Sequence, residues 1–208
     1  MNTNIVLFLK PHLDIDFEVL IKKLEETYKE LWSGFLLSKK KLSPNQPNFI
    51  FNQNKELIID GNHHHITLSV LNEYNKIKND IIDILWDVFD YTSLEFQRVG
   101  YITEIPYKIE NTIEIKKKLL NKDLINDVDE FQVSYHNTIK FQRKNINCWR
   151  RFIKLIKTPL IITYDFNTKE NSFTEINYKT LKEFIKFSES FIENDIKNYI
   201  KGELVWKY

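Results

Sequence analysis

FQVSYHNTIKF, residues 131–141, is the stretch on which the reading of the fold turns. Phe131, Val133, Tyr135, Ile139 and Phe141 fall on one side of an extended chain, and Gln132, Ser134, His136, Thr138, Lys140 and Gln142 on the other. Strict alternation with a period of two is the mark of a strand, because successive side chains point to opposite faces of a sheet. This strand is half buried.

Working outward, the C-terminal side gives Leu160–Phe166 as a second strand and then a long helix capped by Asn177, with Leu181, Phe184, Ile185, Phe191, Ile192, Ile196 and Tyr199 in one stripe. Periodicity does not separate helix from strand in 149–157. On the N-terminal side, Ile5–Leu9 is a continuous apolar run ending at Lys10-Pro11, as expected of a central strand. Asp16 stands as N-cap to a helix carrying Phe17, Leu20, Ile21, Leu24, Tyr28 and Leu31, expected to end near Gly34. Residues 38–47, with three lysines and two prolines, predict an exposed loop.

Residues 49–51 and 57–59 are strand-like around a turn at 52–55, and a second turn at 60–62 leads into a strand over 64–70. Tyr74, Ile77, Ile81, Leu85 and Val88 restore helical spacing. A strand-rich stretch follows over 94–107, broken at Gly100 and ended at Pro106, and then a short basic helix over 112–120. No internal repeat or low-complexity segment appears. Strands grouped between helices with short connections predict one α+β domain over 1–208: a mainly antiparallel sheet, helices packed on one face, and a long C-terminal helix.

Composition narrows the function classes. Thirty basic against twenty-nine acidic residues give a formal charge of +1, so no global field draws the chain to a polyanion and such a partner must use a local patch. The longest apolar runs fall far short of the ~20 residues that span a bilayer. With no signal-peptide pattern and Cys148 as the single cysteine, the expectation is a soluble cytoplasmic protein without disulfides. Four glycines at 34, 61, 100 and 202 cannot form a GxGxxG or GxxxxGK phosphate cradle, which argues against dinucleotide and P-loop sites. No cofactor and no metal is expected.

GNHHHITLSV, residues 61–70, places three histidines at the mouth of a strand. Alternation sends His63 and His65 one way and His64 the other, so at most two face one ion, with His12 and His136 as the remaining imidazoles. Asp80, Asp83, Asp87 and Asp90 line one side of a helix, where a solvated face explains the same spacing. Cys148 lies beside Trp149 and two arginines, and an ordinary partly buried thiol is its default.

Two constellations carry more chemistry. Segments 141–157 hold Arg143, Lys144, Arg150, Arg151 and Lys154, with Lys157, interleaved with Phe141, Trp149 and Phe152, a mixture suited to single-stranded nucleic acid. Lysines 39–41 and 116–118 are candidates to extend that patch. The second pairs His65-Ile66-Thr67 with His136-Asn137-Thr138, where each histidine shares a face with its threonine. The pair resembles the signature of two-histidine phosphoesterases, and the resemblance would make His65 and His136 acid and base and Thr67 and Thr138 phosphate ligands. The second segment lacks the proline that precedes its histidine in that family.

From residue 49 onward the chain is similar to a sporadically distributed prokaryotic family of small α+β proteins. The matching stretches are FIFNQNKELIID (49–60), NEYNKIKNDIIDILWDVF (72–89), QRVGYITEIPY (97–107), PLIITYDFNT (159–168) and LKEFIKFSESFIENDIKNYI (181–200). Arg98, Gly100, Tyr101 and Ile102 fill the family's Arg, Gly, aromatic-Ile places, while Asn167 replaces an acidic residue expected near Asp165. The resemblance implies an α+β fold and no particular activity, and the family's patchy distribution hints at mobile-element or defence contexts.

The expectation is therefore a non-catalytic accessory or regulatory protein that binds a macromolecular or anionic partner, a protein partner first and nucleic acid through 141–157 next. A phosphoesterase acting on a cyclic or oligonucleotide phosphodiester is the enzymatic alternative.

Overall fold

A computed structural model describes residues 1–11, 14–27, 49–53, 56–107, 113–120, 130–170 and 172–199. The loop expected over 38–47, the end of the first helix beyond Thr27, His12 and Lys39–Lys41 lie outside the described residues. In chain order the elements are β1 (Asn2–Leu9), α1 (Phe17–Thr27), β2 (Phe49–Gln53), β3 (Leu57–Gly61), β4 (His65–Leu71), a 3-10 turn (Asn72–Lys76), α2 (Lys78–Tyr91), β5 (Phe96–Tyr107), α3 (Ile113–Leu119), β6 (Phe131–Phe141), β7 (Lys144–Lys154), β8 (Leu160–Thr168) and α4 (Tyr178–Tyr199).

The strands form one eight-stranded sheet in the order β2-β3-β4-β1-β5-β8-β7-β6, antiparallel at every pairing. Its parity follows from the registers. Ile59, Leu68, Ile5, Tyr101, Phe166 and Cys148 lie in one cross-strand row on the covered face. The helices pack there: α4 sets Phe184 against Phe141 and Phe191 against Phe166, and α2 sets Trp86 against Phe96. The α+β class and the one-sided covering are as the alternation predicts. Among the described residues no helix is long and apolar enough to cross a membrane.

The two predicted caps are present. Asp16 Oδ1 accepts from the amides of Glu18 and Val19 at 3.0 and 3.1 Å, and Asn177 Oδ1 accepts from Thr180 N at 2.9 Å. Three local readings are changed or completed. Gly100 and Pro106 do not interrupt β5, which runs unbroken from Phe96 to Tyr107. Residues 144–154 are a strand, joined to β6 by a two-residue turn at Gln142 and Arg143 with φ of 46° and 62°. That turn geometry normally takes Asn or Gly, so its sequence carried no hairpin signal.

The third change concerns repetition. The described elements run β-α-β-β-β-α twice, from β1 to α2 and from β5 to α4. In each half the first strand pairs with the fourth, the fourth with the third and the third with the second, and the two first strands, β1 and β5, meet antiparallel at the centre. The sequence shows no repeat, yet the topology has a pseudo-two-fold arrangement. Burial preserves only face and size, which many residue combinations satisfy.

Two part-buried carboxylates of α4, Asp195 and Glu189, tie it to its neighbours. Asp195 accepts from Arg150 Nη1 at 2.8 and 3.1 Å and from the Tyr164 hydroxyl at 3.0 Å. Glu189 accepts from the Tyr101 hydroxyl at 3.3 Å and pairs with Lys78 of α2.

Candidate functional site

The face of the sheet opposite the helices carries the polar side of each strand. Over β5, β8, β7 and β6 it presents the row Ile102, Asp165, Trp149 and His136, flanked by Gly100, Asn167, Asn147 and Thr138 on one side and by Glu104, Thr163, Arg151 and Ser134 on the other. Trp149 is 44% exposed, the only tryptophan among the described residues that faces outward. Its ring lies 4.5 Å from the His136 imidazole, centroid to centroid, at 37°.

His136 is one end of a hydrogen-bonded chain. His136 Nε2 and Asn147 Oδ1 are 3.2 Å apart, Asn147 Nδ2 donates to Asn167 Oδ1 at 3.2 Å, and Asn167 Nδ2 donates to Asp165 Oδ1 at 3.1 Å. Three strands thus hold four side chains in fixed relation beside an exposed indole. Strand-borne groups are positioned more rigidly than loop-borne ones. Asn147 and Asn167 were not singled out by motif, and cross-strand register is the signal that joins them.

The basic segment divides by parity. Trp149 and Arg151 face outward, while Arg150 points to the helix side, is 8% exposed and is held by Asp195. Its expected role at a nucleic-acid interface is corrected here: it is a structural ion pair beneath α4. Lys154 also has the parity of the helix side and donates to the carbonyls of Leu155 and Thr158 at 2.7 and 2.8 Å. Arg143 and Lys144 are exposed at the β6–β7 turn. Lys116 on α3 is buried, whereas Lys117 and Lys118 are exposed.

The two H-x-T segments lie on the same face but are not brought together. His65 and Thr67 are on β4, His136 and Thr138 on β6, and β1, β5, β8 and β7 intervene. Five inter-strand steps make a lateral gap of roughly 24 Å, far beyond the reach of two groups sharing one phosphate. Strand parity was the right criterion for facing. Strand order decides the distance.

The histidine cluster departs from the expected alternation, which put His63 and His65 on one side: β4 begins only at His65, and His63 precedes it in a bend. The His63 ring meets Phe17 edge-on at 4.8 Å on the helix side, and His65 lies 6.1 Å from Phe8 on the open face. Asn62 Oδ1 accepts from the amides of His64 and His65 at 2.8 and 3.1 Å, so the cluster sits on an Asx turn. Burial holds the His65 pKa below its usual value, with His64 adding to the effect. Among the described residues no three His, Cys, Asp or Glu side chains converge as a metal site. Asp83 is taken by Lys182 at 2.6 Å.

Next to Thr67, Asp60 on β3 has its carboxyl pushed up to about 6 by burial. At the near edge of the open face, the Arg98 guanidinium sits 4.5 Å from the Phe8 ring centroid, and its Nε donates to the Thr168 carbonyl at 3.3 Å. Cys148 is fully buried, and desolvation pushes its thiol up to about 12, the opposite of an activated nucleophile. No protein-family model and no curated protein matches this chain.

Proposed function

We propose that the protein is a non-catalytic accessory or regulatory component that acts by binding, and that the open face over β5, β8, β7 and β6 receives an anionic macromolecule. Trp149 is the observation that carries this reading. An indole 44% exposed on a rigid strand, packed at a tilt against an imidazole and two residues from an exposed arginine, is the residue composition of an energetic anchor in recognition surfaces. The segregation of apolar residues to the helix side leaves this face with no core to build.

Charge at the site is arranged for the same purpose. Lys140, Arg143 and Lys144 gather at the β6–β7 turn, and Arg151 stands on the other side of Trp149. A chain of formal charge +1 thereby carries a local cationic rim. Anisotropy titration of labelled inorganic polyphosphate at two salt concentrations tests the reading. Affinity should fall with salt and drop most in the triple variant Arg143→Ala, Lys144→Ala, Arg151→Ala. A variant that binds as the parent does, or an affinity indifferent to salt, would overturn it.

A further inference from the structure

We infer that the macromolecule is a single-stranded nucleic acid, with one base stacked on the Trp149–His136 pair and the adjoining backbone running over the cations at the β6–β7 turn; this rests on the anion-binding reading above and names its ligand.

The argument is one of zoning. Along β7 the open face passes from Asn145, opposite Lys140, through Asn147 to Trp149 and then Arg151. Four residue steps lead from Asn145 to Trp149, a run of about 13 Å along the strand. Lys140, the turn residue Arg143 and Lys144 at the start of β7 therefore stand at one end, and aromatic surface at the other, with amides between. Free phosphate or a polyphosphate chain would use the cations and leave the indole idle. A strand with exposed bases uses both.

Each base has a π-face, so an aromatic platform on a sheet binds single strands with little regard to sequence. A duplex keeps its base faces stacked on one another and cannot offer one to Trp149. The amides of Asn147 and Asn167 and the Asp165 carboxylate lie beside the platform, where they can meet donors and acceptors on a base edge. On the open face the acidic groups Asp165 and Glu104 lie away from the turn cations, Asp165 in the Trp149 row and Glu104 in the Arg151 row, and Glu183, which accepts from Gln142 at the turn, belongs to α4 on the other side of the sheet. Phosphates at the turn end and a base at Trp149 respect that placement.

The test uses the full chain and four probes of equal length, about a dozen nucleotides or units: a single-stranded oligonucleotide, the same backbone made entirely of abasic sites, the duplex, and inorganic polyphosphate. The base-bearing single strand should bind roughly 5- to 150-fold more tightly than the abasic strand. Trp149→Ala should remove that difference and leave the polyphosphate affinity in place, and Trp149→Phe should keep part of it. The melting temperature of each variant checks that this exposed position leaves the fold intact.

Equal affinity for base-bearing and abasic strands overturns the base-stacking inference while the anion reading stands. A duplex that binds as tightly as the single strand does the same. Failure of all four probes overturns both, and would return the face to a protein partner.

Discussion

Arg150 and Arg151 are neighbours in sequence and face opposite sides of the sheet, and replacing each with methionine separates the two faces of β7. Methionine keeps much of the side-chain stem and removes the charge. At Arg150 the change strips Asp195 of two hydrogen bonds at 2.8 and 3.1 Å and leaves that carboxylate, only 12% exposed, with the Tyr164 hydroxyl. Removing one partner of a buried pair costs about 3–5 kcal/mol, because the other charge stays desolvated. In a chain of this size each kcal/mol moves the melting temperature by roughly 2–4 °C, so Arg150→Met should melt about 6–20 °C lower. Arg151 is exposed, and Arg151→Met should stay within about 0.5 kcal/mol of the parent.

Thermal melts followed by circular dichroism, with guanidinium titrations for the free energy, read this difference directly. Replacing both partners by apolar residues, Arg150→Met with Asp195→Leu, should recover most of the loss, since a well-packed apolar pair is about as stable as a buried ion pair. The polyphosphate titration should show the reverse ranking, with Arg151→Met weakened and Arg150→Met unchanged below its melting temperature. If Arg150→Met is as stable as the parent, or if the two variants lose stability equally, the parity assigned to β7 is wrong.

Two further outcomes follow from single positions. Burial pushes the Asp60 carboxyl up to about 6 from its ordinary 3.8, so the native state holds its proton more tightly than the unfolded chain; its presence costs stability as pH rises from about 4 through 6. Asp60→Asn should therefore raise the melting temperature at pH 8 by more than at pH 4, and an effect equal at both would contradict the burial assigned to it. Gly61 and Gly100 should respond differently to alanine. A Cβ at Gly61 would stand 2.6 Å from Cζ of Phe49, whose ring is fully buried against Phe17 and Phe51, so the cost should be about 1–3 kcal/mol. A Cβ at Gly100 meets nothing closer than 3.6 Å, and Gly100→Ala should leave stability within about 0.5 kcal/mol in the same denaturant titration.

Much of the local structure was legible because it is set by short-range physics. The alternation in 131–141 assigned His136 and Thr138 to the open face and Phe131, Val133 and Phe141 to the helix side, and the registers agree. Asp16 and Asn177 were readable as caps because a side-chain oxygen near a helix start has free amides to satisfy. The β6–β7 hairpin was not readable, because Gln142 and Arg143 adopt positive φ without the residue types that favour it. Long pairing with β6, and β8 on the other side, holds 144–154 extended whatever its propensity.

The sequence by itself determined which side chains share a face, because that depends only on the period of the backbone. It could not determine which strands are neighbours, because pairing joins segments up to a hundred residues apart and any apolar face can lie beside any other. Strand order alone separated His65 from His136 by four strands and brought Asn147, Asn167 and Asp165 beside Trp149, while the packing of α4 over the inner side of β7 made Arg150 the buried partner of Asp195.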